Sequence, residues 1–308
     1  MPKVVVVVVT YNRINLLKEC LEALENQTYS IDKILVVDNC STDGTREWLQ
    51  NNRNEKYQKL LMEENIGGAG GFSRGMKEAC NYICDYVLVL DDDCILNINY
   101  VEELLKGFKE YKTKKSINTS NKSISALCGT VYEHEKIATN HRGYMVRHRI
   151  HSLDYWREYD ETSYEKRYLK CDLASFCGLM ISRRTIDVIG YPREEYFIKC
   201  DDLEYSLRLI KEGLILNINS ASLNHKVKSN NSKKEFDWKY YYDVRNSIDM
   251  TKSNGMHCCM LKVMVKTLVV ALQNIKSQKH TIMLWANSVI DGLKGCLGKN
   301  EDRYKAII

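Results

Sequence analysis

The sequence has only two prolines among its 308 residues, and no segment is rich enough in proline, glycine or serine to predict a linker. It also lacks an uninterrupted apolar run of the roughly 18–20 residues that a membrane-spanning helix needs. The run Val4–Val9 is too short for a signal peptide, and no small-residue cleavage site follows it. These absences favour one soluble body with a C-terminal appendage.

The twelve cysteines include no C-x-x-C pair, the usual spacing of a zinc ribbon or a thioredoxin-like centre. Cys20 and Cys128 fall at apolar positions of predicted elements, where a free thiol behaves as a small hydrophobe. We therefore expect free thiols in a reducing cytoplasm rather than a disulfide framework.

The net charge of +5 is unevenly distributed. From Lys226 onward there are 15 lysines and arginines against 7 aspartates and glutamates, whereas the preceding chain is slightly acidic. A basic segment of this kind favours anionic membrane surfaces or acidic substrates. No helix-turn-helix, zinc knuckle or aromatic-basic pattern accompanies it, so nucleic acid is not an expected partner.

The first hundred residues alternate between strand and helix patterns. Four strands are predicted, at Lys3–Thr10, Lys33–Asn39, residues 58–64 and Tyr86–Leu90. Asn12 is placed to cap a helix that contains Leu17, Leu21 and Leu24, and Ser41 is placed to cap a second helix. Repeated βα units predict an α/β fold with a mostly parallel sheet, which binds ligands at the carboxyl ends of its strands.

The rest of the chain is less regular. Thr113–Lys122 predicts an exposed loop, Ser125–Val131, Leu173–Ser182 and Leu214–Ile218 predict strands, and Asp202–Glu212 predicts a helix. Beyond residue 255, an apolar stripe at helical spacing consists of Leu261, Met264, Val265, Leu268, Val269 and Leu272. The helix that carries this stripe either packs on the body or lies on a membrane.

Polar groups follow each of the four predicted strands: Thr10-Tyr11-Asn12, Asp38-Asn39, Asn65-Ile66-Gly67-Gly68 and Asp91-Asp92-Asp93. Each motif alone has an ordinary structural explanation as a helix cap or a solvated turn. One ligand across the sheet edge would explain all four. Three adjacent carboxylates repel one another, and Mg²⁺ or Mn²⁺ would relieve that repulsion while bridging to a diphosphate.

Three further motifs are less specific. The stretch NIGGAGGFSRG fits neither G-x-G-x-x-G nor the P-loop, which weakens both interpretations. The acidic pair Asp201-Asp202 opens a predicted helix, where it either caps the helix or supplies a general base. His225 by itself carries no assignment from its spacing.

Together, VVVTYNR, VVDNCSTDGT, ENIGGAGGFSRG, LVLDDD and FIKCDDLEYSLR follow the order typical of glycosyltransferase family 2. Residues 3–250 resemble this family, and NIGGAGGFSRG, DDD and FIKxDDxEY resemble its bacterial galactofuranosyltransferases. The tail, with Tyr241-Tyr242, Arg245-Asn246 and Asp291-Gly292, also resembles rhamnosyl- and galactofuranosyltransferases of surface polysaccharide synthesis.

The resemblance implies a GT-A fold, in which a Rossmann-like donor half is joined to an acceptor half. It implies that the donor nucleotide is held by Thr10, Tyr11, Asn12, Asp38, Asn65, Gly67, Gly68, Asp91 and Asp92. A metal ion, Mn²⁺ or Mg²⁺, would be held by Asp91, Asp93 and His225. Asp202 matches the catalytic base, and the acceptor would contact Asp201, Cys177 and Gly178.

The expected domains are a GT-A catalytic domain over residues 1–250 and a basic helical segment over residues 251–308. The donor half would occupy about 1–95 and the acceptor half about 96–250. Cys200 stands where galactofuranosyl relatives often have tryptophan, and the chain begins at its first strand, without the extra β-rich domain of polymerising members. We therefore expect addition of one or a few sugars rather than polymerisation.

The expected activity is inverting, metal-dependent transfer of a sugar from a nucleotide-diphosphate donor to a polyprenyl-diphosphate-linked glycan of the bacterial cell surface. UDP-galactofuranose is the first expected donor and dTDP-rhamnose the second. A nucleotidyltransferase and a non-catalytic nucleotide-sugar-binding module are the alternatives. We expect a cytoplasmic protein that contacts the inner face of the membrane through its C-terminal helices.

Overall fold

The computed structural model describes residues 1–115, 123–146, 152–227, 238–274 and 280–305. Its first part alternates strands and helices: β1 (Val4–Thr10), α1 (Ile14–Glu25), β2 (Lys33–Asp38), α2 (Thr45–Asn51), β3 (Tyr57–Leu61), α3 (Gly67–Ala79) and β4 (Tyr86–Asp91). The middle part contains β5 (Cys94–Leu96), α4 (Tyr100–Lys115), β6 (Ile124–Glu133), β7 (Lys136–Ile137), β8 (Arg142–Met145), β9 (Trp156–Glu158), β10 (Tyr168–Cys171), β11 (Leu173–Ala174), β12 (Leu179–Ser182), α5 (Arg183–Ile189), α6 (Asp201–Glu212) and β13 (Leu214–His225). Four helices follow: α7 (Trp238–Ser253), α8 (His257–Asn274), α9 (Thr281–Lys294) and α10 (Asp302–Lys305).

One large sheet organises the molecule, with the strand order β10–β13–β6–β12–β4–β1–β2–β3. β5 pairs with β13 and β7 with β6, while β11, β8 and β9 form a separate small sheet. The four strands β4, β1, β2 and β3 are parallel, as repeated βα units require. β12 is antiparallel to β4 and β6, and β13 is parallel to β6. The sheet is thus mostly parallel, as predicted.

The continuous valine run of β1 reflects its position inside this sheet. Alternate valines pack into two hydrophobic clusters, one shared with Leu17 and Leu21 of α1 and the other with Phe72 and Met76 of α3. A strand covered by helices on both faces shows no alternation of apolar and polar residues, because neither face meets water. The prediction of a doubly covered first strand is confirmed.

The predicted helix caps are wrong. Asn12 has φ 54°, and its Oδ1 accepts the Thr42 amide at 2.7 Å. Ser41 Oγ accepts the Asn12 amide at 2.9 Å. Asp43 caps both helices instead. Its carboxylate accepts hydrogen bonds from the backbone amide of Ile14, the first residue of α1, and from that of Thr45, the first residue of α2. The loops after β1 and β2 therefore bind each other across the sheet edge.

Several further boundaries differ from the prediction; β3, for example, ends at Leu61 rather than at residue 64. α4 continues through Lys115, so the first three residues of the loop predicted over Thr113–Lys122 are helical; residues 116–122 lie outside the described residues. The strand predicted over Leu173–Ser182 is divided into β11 and β12, because Gly178 adopts φ 75° between them. β13 extends to His225, well beyond its predicted end, and so brings this histidine to the sheet edge.

The C-terminal helices form a layer built on α7, which packs against both α8 and α9. Gly292 of α9 permits the close approach, since a Cβ there would lie 2.6 Å from the Arg245 carbonyl oxygen. Tyr241 donates a hydrogen bond of 2.7 Å from its hydroxyl to Asp291 Oδ2. These contacts give the paired tail motifs a structural explanation.

α8 packs through one face and exposes another. Val263 and Ala271 are buried, whereas four residues of the predicted stripe are exposed: Leu261 (57%), Val265 (48%), Val269 (42%) and Leu272 (51%). Across the described ranges, no helix combines the length and apolarity required to cross a bilayer. The helix therefore contacts the body and also leaves an apolar stripe uncovered.

Candidate active site

The strand-end motifs meet at one edge of the sheet. β1 lies between β2 and β4, and the register pairs Thr10 with Asp38 and Val9 with Asp91. The N-terminus of α3, which begins at Gly67, packs against the same strands. The prediction that these motifs lie together is confirmed, while their individual roles stay predictions.

Asp92 joins two of the motifs. Its side chain is buried and accepts hydrogen bonds from the Thr10 hydroxyl at 2.7 Å and from Arg13 Nη1 at 3.1 Å. Burial raises the pKa of Asp92 to about 6, against the lowering effect of the bond from Thr10 and the charge of Arg13. Asp92 thus ties β4 to β1 and holds Arg13 at the edge of the site.

The predicted nucleoside side is built from the ends of β2 and α3. Asp38 is buried; its Oδ1 accepts the Ser41 amide at 3.1 Å, and its Oδ2 has no hydrogen-bond partner. Asn39 donates to the Gly67 carbonyl at 2.7 Å, and Asn65 Oδ1 accepts the Gly67 amide at 2.8 Å. Tyr11 is 44% exposed. A buried carboxylate oxygen without a donor suits a ligand that brings one.

Gly67 is required by a close approach of two chain segments. It has φ 75°, and a Cβ there would lie 2.0 Å from the Phe197 carbonyl oxygen, which accepts the Ala69 amide at 3.0 Å. A side chain at this position would separate α3 from the segment that precedes α6. Gly68, in contrast, faces open space.

A cavity of about 690 Å³ opens at this edge. Residues of the predicted donor motifs line one part of it: Thr10, Tyr11, Asn65, Gly67, Gly68, Asp91 and Asp92. Asn39, from the predicted Asp38-Asn39 motif, also lines it, whereas Asn12 and Asp38 do not. Residues to which the sequence interpretation gave no role line the rest: Val9, Arg13, Phe197, Ile198, Trp238, Lys239, Lys299, Glu301, Tyr304 and Lys305. Lys239, Lys299 and Lys305 belong to the basic C-terminal segment, so part of its charge faces the cavity rather than a distant surface.

Two of the three predicted metal ligands, Asp93 and His225, are in contact, and the third, Asp91, lies beside Asp93. His225 Nε2 lies 3.3 Å from Asp93 Oδ1, and carboxylate oxygens of Asp91 and Asp93 lie within 4.8 Å of each other. Asp93 Oδ1 is buried and makes no hydrogen bond, while Asp93 Oδ2 binds Arg13 Nη1 at 2.6 Å. An orphaned oxygen beside an imidazole, with a second carboxylate nearby, fits a divalent cation with oxygen and nitrogen ligands.

A second layer of side chains holds His225. Glu133 Oε1 accepts from His225 Nδ1 at 2.8 Å and lies 3.0 Å from His141 Nε2. The hydrogen bond from His141 lowers the pKa of Glu133 to about 2, with a further contribution from His225. Ser175 Oγ lies 2.7 Å from His141 Nδ1 and completes the chain of contacts. Glu133 thereby fixes which nitrogen of His225 faces Asp93.

Asp201 and Asp202 open α6 after a strained loop. Phe197, Lys199 and Cys200 have φ values of 63°, 68° and 63°, in the left-handed region that favours glycine. Asn246 of α7 compensates, because its Nδ2 donates to the carbonyls of residues 196, 198 and 199 at 3.0, 2.8 and 2.9 Å. The three hydrogen bonds from Asn246, here called the Asn246 clamp, therefore position the acidic pair at the start of α6.

Burial raises the pKa of Asp201 to about 7, with the Asp202 charge adding to the effect. Burial likewise raises the pKa of Asp202 to about 6, opposed by the bond of 2.7 Å that its Oδ1 accepts from the Leu203 amide. A carboxylate with such a pKa is a better proton acceptor near neutral pH than an ordinary aspartate. This environment favours the predicted role of Asp202 as the general base, and that role stays a prediction.

Cys177 and Gly178, predicted to contact an acceptor, are both buried. Cys177 is 3% exposed, and the backbone of Gly178 packs against Tyr100, whose hydroxyl donates to its carbonyl at 2.6 Å. The Cys177 Sγ lies 3.8 Å from Asp91 Oδ2. An acceptor role for these two residues stays a prediction.

The sheet, the cavity at the ends of its parallel strands and the adjacent acidic cluster define a glycosyltransferase of the GT-A type. The family model described as "Glycosyl transferase family 2" matches residues 5–186. The chain therefore belongs to glycosyl transferase family 2, and the family assignment made from the sequence motifs is confirmed.

Two relatives carry the name galactofuranosyltransferase GlfT1. The protein of Mycobacterium tuberculosis is 30% identical over 212 residues, which cover 68% of this chain and 64% of the relative. That of Mycolicibacterium smegmatis is 28% identical over 209 residues, covering 68% of this chain and 65% of the relative. The chain thus spans less than two thirds of the length of either relative.

Solved structures agree with the fold. Staphylococcus aureus TarS 1-349 in complex with UDP has a TM-score of 0.60 at 14% identity, covering 94% of this chain and 81% of that one. GalNAc-T7 with UDP, GalNAc and Mn²⁺ also has a TM-score of 0.60, at 13% identity, covering 82% of this chain and 48% of that one. The predicted GT-A fold is confirmed.

Proposed function

We propose that this protein is an inverting, metal-dependent glycosyltransferase that moves galactofuranose from UDP-galactofuranose to a hydroxyl of a lipid-linked, cell-surface glycan. The observation that carries the proposal is the cavity at the ends of the parallel strands, which is lined by Thr10, Asn65, Asp91 and Asp92. The same strand ends carry the buried carboxylate of Asp38 and the contact between Asp93 and His225, and α6 adds Asp202, a carboxylate of raised pKa. The names of the two relatives support the sugar.

In this proposal different residues bind the nucleoside, bind the diphosphate and accept the proton. Asp38 and Asn65 hold the nucleoside, while Arg13 and the cavity lysines bring positive charge to the diphosphate. A divalent cation held by Asp91, Asp93 and His225 would neutralise charge on the leaving diphosphate. Asp202 accepts the proton of the acceptor hydroxyl as that oxygen forms a bond to the anomeric carbon and the bond to diphosphate breaks.

A donor screen tests the proposal. The full chain is mixed with Mn²⁺ and single nucleotide sugars, and the melting temperature is measured, since a ligand that binds only the folded state raises it. UDP-galactofuranose should give the largest rise; a larger rise with dTDP-rhamnose would change the assigned sugar. The matching product is free nucleoside diphosphate. Release of pyrophosphate would instead identify the protein as a nucleotidyltransferase. Donor binding without any turnover would instead identify it as a non-catalytic binding module.

For the acceptor we propose a polyprenyl-diphosphate-linked glycan, reached from the cytoplasmic face of the membrane. The exposed stripe of α8, defined by Leu261, Val265, Val269 and Leu272, supports this part of the proposal. α9 adds exposed Met283, Ile290 and Leu293. Apolar helix surfaces in a segment with excess lysine suit the interface of an anionic bilayer.

We also propose the division into a catalytic domain over residues 1–250 and a basic helical segment over 251–308, with donor and acceptor halves meeting near residue 95. α7 ends at Ser253, close to this boundary. Residues of the C-terminal segment line the donor cavity. In the proposed arrangement, this segment serves both the donor and the membrane.

A further inference from the structure

Two cysteine thiols lie directly behind the acidic cluster. Cys94 has no exposed surface and Cys177 is 3% exposed. Their Sγ atoms and a ring nitrogen of His225 all lie within 4.8 Å of one another. Asp91 Oδ2 lies 3.8 Å from the Cys177 Sγ. Two thiols and an imidazole therefore converge on one small volume, and a carboxylate lies beside one of the thiols.

This set has the composition of a tetrahedral site for a thiophilic ion. Zinc binds sulfur at about 2.3 Å and nitrogen at about 2.0–2.1 Å, so ligand atoms around it stand about 3.5 Å apart. Small side-chain movements would close the present separations to that value. Thiolates select zinc-like ions, whereas Mg²⁺ and Mn²⁺ prefer carboxylates. His225 is thus shared by an oxygen face (Asp91 and Asp93) and a sulfur face (Cys94 and Cys177).

A second buried thiol pair shows what distinguishes this cluster. Cys128 and Cys171 also lie together, and the buried guanidinium of Arg142 stands beside them. Burial raises the pKa of Cys128, but the hydrogen bond from Cys171 and the charge of Arg142 outweigh it and lower that pKa. Arg142 is fixed there by hydrogen bonds to Asn217 at 3.0 Å and to the Cys177 carbonyl at 3.0 Å. A fixed cation opposes metal binding at that pair. In contrast, Cys94 and Cys177 lie near the carboxylates of Asp91 and Asp93, whose negative charge favours a bound cation.

We propose that Cys94, Cys177 and His225 bind a thiophilic divalent cation of the Zn²⁺ class, with Asp91 as the fourth ligand. Each thiol releases its proton to solvent as its sulfur binds. Because His225 also faces Asp93, an ion on the sulfur face withdraws this histidine from the oxygen face. Zn²⁺ is therefore an inhibitor that competes with the activating metal. This competition rests on the proposed function, whereas zinc binding itself does not.

Cadmium is the first probe, since cadmium–thiolate bonds absorb in the ultraviolet and cadmium–carboxylate bonds do not. Serine first replaces Cys258, Cys259 and Cys296 in the full chain, which removes the exposed and partly exposed thiols of the segment that begins at residue 251. Titration with Cd²⁺ should give a charge-transfer band that saturates at one equivalent. Absence of this band would overturn the proposal.

Single replacements then locate the site. Cys94→Ser and Cys177→Ser should each reduce the band and weaken Zn²⁺ binding, measured by competition with a chelating dye, by more than about tenfold. Changes in the outer shell of metal sites already cost about 10–100-fold. Cys171→Ser, from the pair beside Arg142, is the matched control and should change neither quantity. Circular dichroism checks folding. A full band in both Cys94→Ser and Cys177→Ser would refute the assignment.

Kinetics separate this inference from the proposed function. With Mn²⁺ alone, donor turnover tests the function; with added Zn²⁺, the expected inhibition should be relieved by excess Mn²⁺ and weakened in Cys94→Ser. A cadmium band in a protein without transferase activity would support the sulfur site and contradict the function. Transferase turnover in a protein that gives no cadmium band would support the proposed function and contradict the sulfur site. Zinc binding that leaves turnover unchanged would overturn the competition.

Discussion

At the scale of single residues, the active site depends on carboxylates whose surroundings differ. Asp202 is the proposed base, and Asp202→Asn keeps its size while removing its ability to accept a proton. We expect turnover to fall by about 10²–10⁴-fold with donor affinity retained. Steady-state kinetics and donor titration by calorimetry measure the two quantities. Asp187→Asn, at an exposed acid of α5, is the control, and near-normal turnover of Asp202→Asn would remove this residue from the mechanism.

The pH profile of turnover reports the same group. Burial raises the pKa of Asp202 to about 6 and that of Asp201 to about 7, so the protonated forms persist to higher pH than in ordinary aspartates. Because a protonated base cannot accept the acceptor proton, turnover should fall as pH drops through about 7 to 6. The measurement is kcat against pH with saturating donor and metal. A flat profile down to pH 4 would contradict a role for this pair.

Glu133 provides a residue-scale test of the metal site. Its Oε1 accepts from His225 Nδ1 at 2.8 Å, so Glu133→Ala leaves this histidine free to rotate or change tautomer. We expect Mn²⁺ affinity, measured by electron paramagnetic resonance, to fall by about 10–100-fold. Glu133→Gln, which keeps an acceptor oxygen, should lose less. Glu135→Ala, at an exposed turn nearby, should match the parent protein; equal Mn²⁺ affinity in Glu133→Ala would contradict the positioning role.

At the scale of elements, the loop before α6 is held by α7. Asn246→Ala removes a buried amide that donates to three carbonyls, and unsatisfied buried groups cost about 1–3 kcal/mol each. We therefore expect a lower free energy of unfolding, measured with urea, and a fall in kcat even where the variant is fully folded. Asn254→Ala, near the end of α7, is the control. An unchanged kcat in Asn246→Ala would show that the Asn246 clamp does not contribute to catalysis.

The sequence predicts elements well where a local pattern is decisive. The sequence predicts β1, β2 and β4 because their apolar residues continue without alternation, and the ends of these strands therefore indicate where the site lies. The caps at Asn12 and Ser41 failed, because these side chains bind across to the neighbouring loop rather than to their own helix. No periodicity encodes such a contact between two loops.

Other parts of the site depend on residues far apart in the chain. Glu133 meets His225 across 92 positions, and Asn246 meets the loop of residues 196–199 across nearly 50. Lys299 and Lys305 reach the cavity because α10 packs on α7 and α9 and so returns the end of the chain to it. The family motifs indicated His225 and Asp202, but tertiary packing alone places their supporting residues.

At the scale of the whole molecule, the uncovered stripe of α8 gives a test of membrane contact. Leu261→Glu with Val269→Glu places charge on this stripe, so binding to phosphatidylglycerol vesicles at low salt should be lost while the melting temperature stays similar. Flotation measures the bound fraction. Ile83→Glu and Val188→Glu, at exposed apolar residues elsewhere, are matched controls. If the parent protein does not bind these vesicles, the proposed membrane contact of α8 is wrong.

Arg13 has a thermodynamic consequence for the order of binding. Its guanidinium binds Asp93 Oδ2 at 2.6 Å and Asp92 Oδ1 at 3.1 Å, so it serves as the counter-ion of the acidic cluster. A metal ion that binds Asp93 competes with this arginine, and a donor diphosphate offers the displaced guanidinium a new anionic partner. Metal and donor should therefore strengthen each other's binding, by the same factor in either direction. Under the proposed function, the arginine would act as an exchangeable charge that couples the two ligands.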